Sequence, residues 1–261
     1  MNKQLLEGKT SIVTGASEGI GYAIAELFLE EGSNVVIVAR RPQLLEAAVN
    51  TLNAAGYPGK AIGMVGDVAD ETLSKKTFER AIDTFGTVDI LVNNAGVGEG
   101  YTIETTTTEH WDNIMNINLR GAFFFCREAA EHFLPKREGV IINVSSINGL
   151  KPGNGLVYTT SKGAICTMTR NMAIRFAGTN IRVNALCPGL TTSPTAEKYK
   201  LNQQATSGVS MRQFGNHYIN QSFDGEIPAL GQAYGALFLA SEMGQYMTGQ
   251  NLVIEKGRYF N

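Results

Sequence analysis

The sequence predicts an α/β protein: a doubly wound parallel sheet flanked by helices, formed by one domain over residues 1-261. Three observations carry this. Short apolar, β-branched runs alternate with segments of helical period along the whole chain. The runs are almost continuously apolar, as strands covered on both faces are. No internal repeat and no low-complexity linker divides the 261 residues.

In chain order the strand-like runs are Ser11–Val13, Val35–Ala39, Ala61–Val65, Ile90–Val92, Val140–Val144, Arg182–Leu186 and Leu252–Ile254. Ile20, Ile24, Leu27 and Phe28 make one helical stripe between the first two; Ile165, Met168, Met172 and Phe176 make another before the sixth. The segment from about residue 190 to 228 breaks the rhythm. Its stretch from Thr195 to Ile227 is polar and rich in Asn and Gln, and is read as a substrate loop or lid.

Hydrophobic residues make up 43% and charged residues 18%, enough for a large core and too apolar for disorder. A net charge of −2, with no basic cluster longer than Arg40-Arg41, argues against a nucleic-acid partner. No run of 18 apolar residues exists and the N-terminus is too short and polar for a signal peptide, so no membrane association is expected. Cys126, Cys166 and Cys187 lie scattered in apolar contexts. They are expected to be reduced, buried thiols of a cytoplasmic protein, without metal-ligand spacing.

Ser11-Ile-Val-Thr-Gly15 reads as a strand entering a glycine turn, and Gly19-Ile-Gly21 opens the next helix. Glycines there let the backbone approach a pyrophosphate at the positive helix N-terminus. Gly15, Ser17, Glu18, Gly19 and Ile20 are therefore the expected dinucleotide cradle. The next strand ends in Ala39-Arg40-Arg41, where a carboxylate would select a free ribose hydroxyl. An arginine fork instead matches a 2′-phosphate and favours NADP(H). Arg41 reads equally as the start of a solvated helix. Glu18 brings negative charge near the phosphate, which keeps NAD(H) open.

Tyr158 and Lys162 stand four apart, one turn along a helix face. An ammonium beside a phenol is expected to lower the phenol pKa from about 10 toward working pH. Such a tyrosine passes a proton to or from an alcohol oxygen. The spacing alone also fits an ordinary helix surface; the glycine turn upstream gives it weight.

The chain resembles the short-chain dehydrogenase/reductase family along nearly its whole length. The motifs are Thr14-Gly-Ala-Ser-Glu-Gly-Ile-Gly21, Gly66-Asp67-Val68, Asp89-Ile-Leu-Val-Asn-Asn-Ala-Gly96 and Asn116-Ile-Asn118-Leu-Arg-Gly121. Then come Asn143-Val-Ser-Ser146, Tyr158-x-x-x-Lys162, Asn184-Ala-Leu-Cys-Pro-Gly189 and Tyr246-Met-Thr-Gly249. The resemblance implies a Rossmann-type sheet of about seven strands. It implies Tyr158 as acid/base, Lys162 holding the nicotinamide ribose, and Asn118 keeping a water in a proton relay. It implies cofactor contacts from Asp67 and Val68 to adenine, from Asn94, Ala95 and Gly96 at a strand end, and from Pro188, Gly189 and Thr191 beside the nicotinamide, with Ser193 nearby.

For the catalytic serine, the family's usual spacing to the tyrosine selects Ser145, thirteen residues before Tyr158. Counting from the strand start at Gly139 and from Gly149 selects Ser146, which is preferred, with Ser145 as a strand-end hydrogen-bonder. The implied activity is interconversion of a secondary alcohol and a ketone by a homodimer or homotetramer.

Tyr101, Leu150, Leu156, Tyr199, Met211 and Phe214 are candidates to line a large apolar pocket, which favours a hydroxysteroid, including the bile-acid type. A 3-oxoacyl thioester and a sugar or polyol remain alternatives, as does a non-catalytic NADP(H) sensor. A methyltransferase shares the glycine turn but has no need of Tyr158 and Lys162. His110 and His132 are read as surface residues, and His217 as a solvated loop residue. Two features depart from the family: an extra stretch near Asn216–Glu226, and Glu255-Lys256-Gly257 where a glycine pair is usual.

Overall fold

The computed structural model describes residues 4–151, 153, 155–192 and 226–257. Its element order follows the alternation of the sequence. β1 (Thr10–Thr14), α1 (Gly19–Glu30), β2 (Asn34–Ala39), α2 (Pro42–Ala54), β3 (Ala61–Val65), α3 (Glu71–Phe85) and β4 (Ile90–Asn93) form the first half. α4 (Thr108–Met115), α5 (Gly121–Lys136), β5 (Glu138–Val144), α6 (Leu156–Arg175) and β6 (Asn180–Pro188) follow. β7 (Thr191–Thr192), β8 (Ile227–Pro228), α7 (Ala229–Ala240) and β9 (Asn251–Ile254) complete it.

Seven strands form one parallel sheet in the order β3-β2-β1-β4-β5-β6-β9. All seven expected runs are strands of this sheet. The chain winds outward from β1 in one direction and restarts at β4 in the other, so the crevice between the carboxyl ends of β1 and β4 is the topological switch point.

Strand period 2 distributes the apolar side chains to two cores. Val13, Val35, Ile37, Val92 and Leu186 pack under α1 and α7 with Ile24, Phe28, Ala236 and Leu239. Ile12, Val36, Val38, Leu91 and Val183 pack on the other face with Phe78, Phe125, Phe133 and Phe176. Each such side chain contributes about 1.5–3 kcal/mol on burial.

Local signals end the helices. Asp70 caps α3 by accepting from the Thr72 N–H at 2.9 Å, and Gly86 terminates it in the left-handed region at φ 84°. Pro42 occupies the first turn of α2, where its missing N–H costs nothing. Between α4 and α5 the chain makes one π-helical turn, Asn116–Arg120, which carries Asn118. That extra residue per turn re-aims the Asn118 side chain.

The ends of the long polar segment meet. Thr191 and Thr192 pair with Ile227 and Pro228, and the Ile227 N–H donates to the Leu190 carbonyl at 3.0 Å. The intervening residues lie outside the described residues, and with them Ser193, Tyr199, Met211, Phe214, His217 and most of the extra stretch. Among the described residues no helix is long and apolar enough to cross a membrane.

Candidate active site

The glycine turn is held to the end of β4 by side chains. Thr14 Oγ1 accepts from the N–H groups of Asn94 and Ala95, each at 3.0 Å. Asn94 Nδ2 donates to the carbonyls of Thr14 and Gly15, also at 3.0 Å. Gly15 and Gly19 adopt φ 65° and 64°. A Cβ on Gly15 would lie 2.7 Å from Ala95 Cα, and one on Gly21 would lie 2.5 Å from the Gly15 carbonyl oxygen. Only glycine fits both the dihedrals and the approach.

α1 then begins with no side-chain cap and no acidic residue in its first turn, although Glu18 occupies the cap position. Its first N–H groups remain available to an anion, so the residues present fit a dinucleotide pyrophosphate. Beside this turn, Thr14, Val68, Asn93, Ala95, Ile117 and Gly121 close with Ala122 and Phe125 around a packing gap too small for a water molecule. Val68 packs so tightly on α5 that a Cβ on Gly121 would meet its Cγ2 at 2.9 Å. Ser17 and Ile20 flank the turn half-buried.

Both arginines after β2 face carboxylates. Arg41 Nη2 lies 2.7 Å from Glu18 Oε1, and Arg40 Nη1 lies 3.4 Å from Asp67 Oδ2. The second oxygen of Asp67 accepts from the Ala69 N–H at 2.9 Å. Further along the carboxyl edge of the sheet, β6 ends in Pro188, and the Gly189 N–H donates to the Ile254 carbonyl at 2.9 Å. Thr191 Oγ1 donates to the Gly189 carbonyl and accepts from Gln232 Nε2 at 3.2 Å. Gln232 is fully buried on α7 and also bonds the Ile254 carbonyl at 3.1 Å. No motif marks it, because its partners lie about 40 and 20 positions away in sequence.

Ser146 and Tyr158 meet: the Ser146 side chain is hydrogen-bonded to the Tyr158 hydroxyl. Ser146 Oγ also accepts from the Asn148 N–H at 3.1 Å, which fixes the turn after β5. Ser145 is turned away. Its Oγ donates to the Lys162 carbonyl at 2.7 Å and accepts from Cys166 Sγ at 3.2 Å, tying α6 to the end of β5.

Lys162 is 4% exposed; its Nζ donates to the Val144 carbonyl at 2.8 Å and stands 5.8 Å from the Tyr158 ring centroid. Burial depresses its pKa to about 8. The expected lowering of the Tyr158 pKa by this ammonium is not what the geometry gives. Burial raises the Tyr158 pKa above 10, opposed by the Ser146 hydrogen bond, and Lys162 directs its proton to the backbone instead. Tyr158 is therefore a protonated phenol at neutral pH, ready to donate.

Asn118 is fully buried, and its amide is occupied at both ends. Oδ1 accepts from the Val97 N–H and Nδ2 donates to the Val97 carbonyl, each at 2.8 Å; Nδ2 also reaches Ser161 Oγ at 3.0 Å. This side chain clamps the Val97 loop. Gly96 lies between the two groups: a Cβ there would be 3.3 Å from both Asn118 Oδ1 and Lys162 Nζ.

The two histidines expected at the surface are engaged. His132 Nε2 accepts from the Val88 N–H at 3.3 Å, and burial lowers its pKa. His110 stacks on Tyr101, with ring centroids 3.8 Å apart and planes 8° from parallel. Tyr101, a candidate pocket wall, lays one face of its ring on His110 at the start of α4. Thr107-x-x-His110 has the spacing of a capping box, which is the signal the sequence offered. The three cysteines are free and buried, and burial pushes Cys126 up to about 12, leaving it an inert thiol.

Replacing Asn118 by Ala strands the Val97 N–H and carbonyl, at about 1–3 kcal/mol for each group left unpaired. Urea unfolding is expected to show that loss, and amide exchange at Val97 to accelerate.

The family model described as short chain dehydrogenase matches residues 9–204. The 3-oxoacyl-[acyl-carrier-protein] reductase FabG of Thermotoga maritima is 35% identical over 97% of this chain and 98% of its own. The 3beta-hydroxysteroid dehydrogenase 1 of Eggerthella lenta is also 35% identical, over 97% and 94%. The crystal structure of L-sorbose reductase from Gluconobacter frateurii, complexed with NADPH and L-sorbose, superposes with a TM-score of 0.86 at 28% identity, covering 98% of each chain. With its sheet order, glycine turn and Ser146–Tyr158–Lys162 cluster, the chain belongs to the short-chain dehydrogenase family of oxidoreductases.

Proposed function

We propose that the protein interconverts a secondary alcohol and a ketone with NADP(H). The observation that carries this is the Ser146–Tyr158 hydrogen bond beside the buried Lys162, set at the carboxyl edge of the sheet next to the glycine turn. A nicotinamide dinucleotide held by Gly15, Ser17, Gly19, Ile20, Asn94, Ala95, Gly96, Pro188, Gly189 and Thr191 supplies the hydride. Ser146 hydrogen-bonds the substrate oxygen and orients it. Tyr158 donates its proton to that oxygen in reduction and takes it back in oxidation. Lys162, whose Nζ stands 5.8 Å from the Tyr158 ring centroid, would hold the nicotinamide ribose of the bound cofactor. Asn118 keeps the Val97 loop seated against the cluster.

Three leucines on separate elements support an apolar substrate. Leu150, Leu156 and Leu190, close in sequence to Ser146, Tyr158 and Gly189, are each 37–39% exposed, which favours a hydroxysteroid. The sugar reading rests on the sorbose reductase, whose chain superposes over nearly its full length.

For the cofactor, the Arg40 and Arg41 guanidiniums supply a fork for a 2′-phosphate, and the Glu18 carboxylate competes for Arg41. Expected outcomes follow in fluorescence titration. Arg40→Ala with Arg41→Ala weakens NADPH binding about tenfold or more and leaves NADH unchanged. Glu18→Gln tightens NADPH several-fold, since Arg41 is released to the phosphate.

The Lys162 shift sets a pH dependence. Its ammonium loses its proton as pH rises through about 8. NADPH affinity of the free protein is expected to be level below that pH and to weaken above it, because the anionic cofactor loses a cation. Lys162→Met, neutral throughout, binds more weakly with no such step.

Purified protein is offered NADPH with a 3-ketosteroid, L-sorbose, an acetoacetyl thioester and cyclohexanone, followed by nicotinamide absorbance. Turnover of the steroid, and a Tyr158→Phe variant that binds NADPH but loses turnover by at least about a hundredfold, are expected. Full activity in Tyr158→Phe, or NADPH binding with no turnover of any carbonyl, overturns the proposal; the second result points to a sensor.

A further inference from the structure

We propose that His110 is a positioning residue that sets one wall of the substrate cleft through its stack on Tyr101; this rests on the alcohol/ketone reading above.

The segment from Val97 to Tyr101 runs between two fixed points. At one end Asn118 clamps both backbone groups of Val97 at 2.8 Å. At the other, Tyr101 makes two contacts of different kinds. Its carbonyl accepts from the Leu156 N–H at 3.1 Å, at the first residue of α6 and two positions before Tyr158. Its ring lies flat on His110, in the first turn of α4. Tyr101 is therefore the residue through which α4 touches the start of the catalytic helix along this loop.

The spacing there is tight. Gly155 has φ 77°, and a Cβ on it would collide with the Glu99 carbonyl oxygen, so the loop backbone lies directly against the residue before α6. Any shift of Tyr101 moves this contact.

The His110 ring is itself fixed. Its Nδ1 accepts from the Thr107 N–H at 3.4 Å, while the His110 backbone N–H donates to Thr107 Oγ1 at 3.2 Å and closes the cap. Thr107 is reached from Tyr101 through a turn stapled by threonines, in which Thr106 N–H donates to the Thr102 carbonyl at 3.0 Å and Thr102 N–H to Thr105 Oγ1 at 3.0 Å. Loop, turn and cap form a closed circuit that the aromatic stack completes. With the stack intact, the Tyr101 ring is held on α4 while its carbonyl is tied to the first residue of α6. Without it, the ring is free to turn about that tie, and the wall it gives the cleft moves. The stack acts on substrate fit and leaves cofactor binding and proton transfer alone.

The test separates the stack from the cap. His110→Ala removes both; His110→Asn keeps a side-chain acceptor for the Thr107 N–H without a ring; His110→Phe keeps the ring without the acceptor. Amide hydrogen exchange is followed over residues 97–106 and at Leu156. In parallel, KM and kcat are measured for the 3-ketosteroid and for cyclohexanone at saturating NADPH.

Faster exchange in His110→Ala and His110→Asn, restored in His110→Phe, is expected. KM for the steroid rises about two- to tenfold in the first two variants, the scale of an aromatic pair, with kcat, KM for cyclohexanone and NADPH affinity unchanged. Unchanged exchange in His110→Ala overturns the proposal. Rescue by Asn and not by Phe also overturns it, because the cap would then be the cause. A loss of kcat for both ketones equally assigns His110 a general structural role and overturns it as well. A protein that reduces neither ketone fails the functional reading alone, and the exchange pattern across the three variants still decides the stack.

Discussion

The carboxyl edge of a parallel sheet must close its backbone hydrogen bonds without a ladder, and the rest of this site depends on how that is done between β1 and β4. Where the β1–β4 pairing stops at Val13 and Val92, Thr14 and Asn94 take over with side chains. Thr14 Oγ1 accepts two successive N–H groups, and Asn94 Nδ2 bridges two carbonyls on the other strand. Because these partners are side chains, the backbones are free to diverge into the glycine turn and the Gly96 loop. The crevice at the switch point exists because the ladder ends in this way.

The same device recurs one strand further on, buried more deeply. Asn93 Nδ2 bonds Asn143 Oδ1 at 3.0 Å, and Asn143 Nδ2 bonds Thr169 Oγ1 on α6 at 3.0 Å. Ser145 Oγ and Lys162 Nζ add reciprocal links between the end of β5 and α6. A helix held by polar contacts of fixed length has one register against the sheet, whereas apolar packing alone tolerates sliding. That register is what brings Tyr158 to Ser146. The burial that fixes it also sets the chemistry: a desolvated phenol keeps its proton, and a desolvated ammonium holds its proton less tightly than in water.

Charge at the adenosine end is organised differently, at the surface and in pairs. Arg41 with Glu18 and Arg40 with Asp67 are about half exposed, so each pair is worth little to stability and is readily exchanged for a stronger anion. A phosphate offers such an anion with matching geometry. Fold stability rests on the two apolar cores and owes little to these exposed pairs.

The sequence by itself determined the seven strands, their parallel winding and the glycine turn, because period-2 and period-3.6 patterns and left-handed glycines are local properties. It also brought Tyr158 and Lys162 to one helix, since a four-residue spacing is a helical distance. Tertiary structure decided everything that depends on residues far apart in sequence. It separated the roles of Ser145 and Ser146, adjacent in the chain and opposite in direction, because a strand end turns successive side chains to different neighbours. It placed the Asn118 amide on Val97, the Lys162 proton on Val144 and the His110 ring on Tyr101. It also reversed the expected shift of the Tyr158 pKa, because the balance between desolvation and a nearby charge is set by burial and by where each donor points, and neither is a function of spacing along the chain.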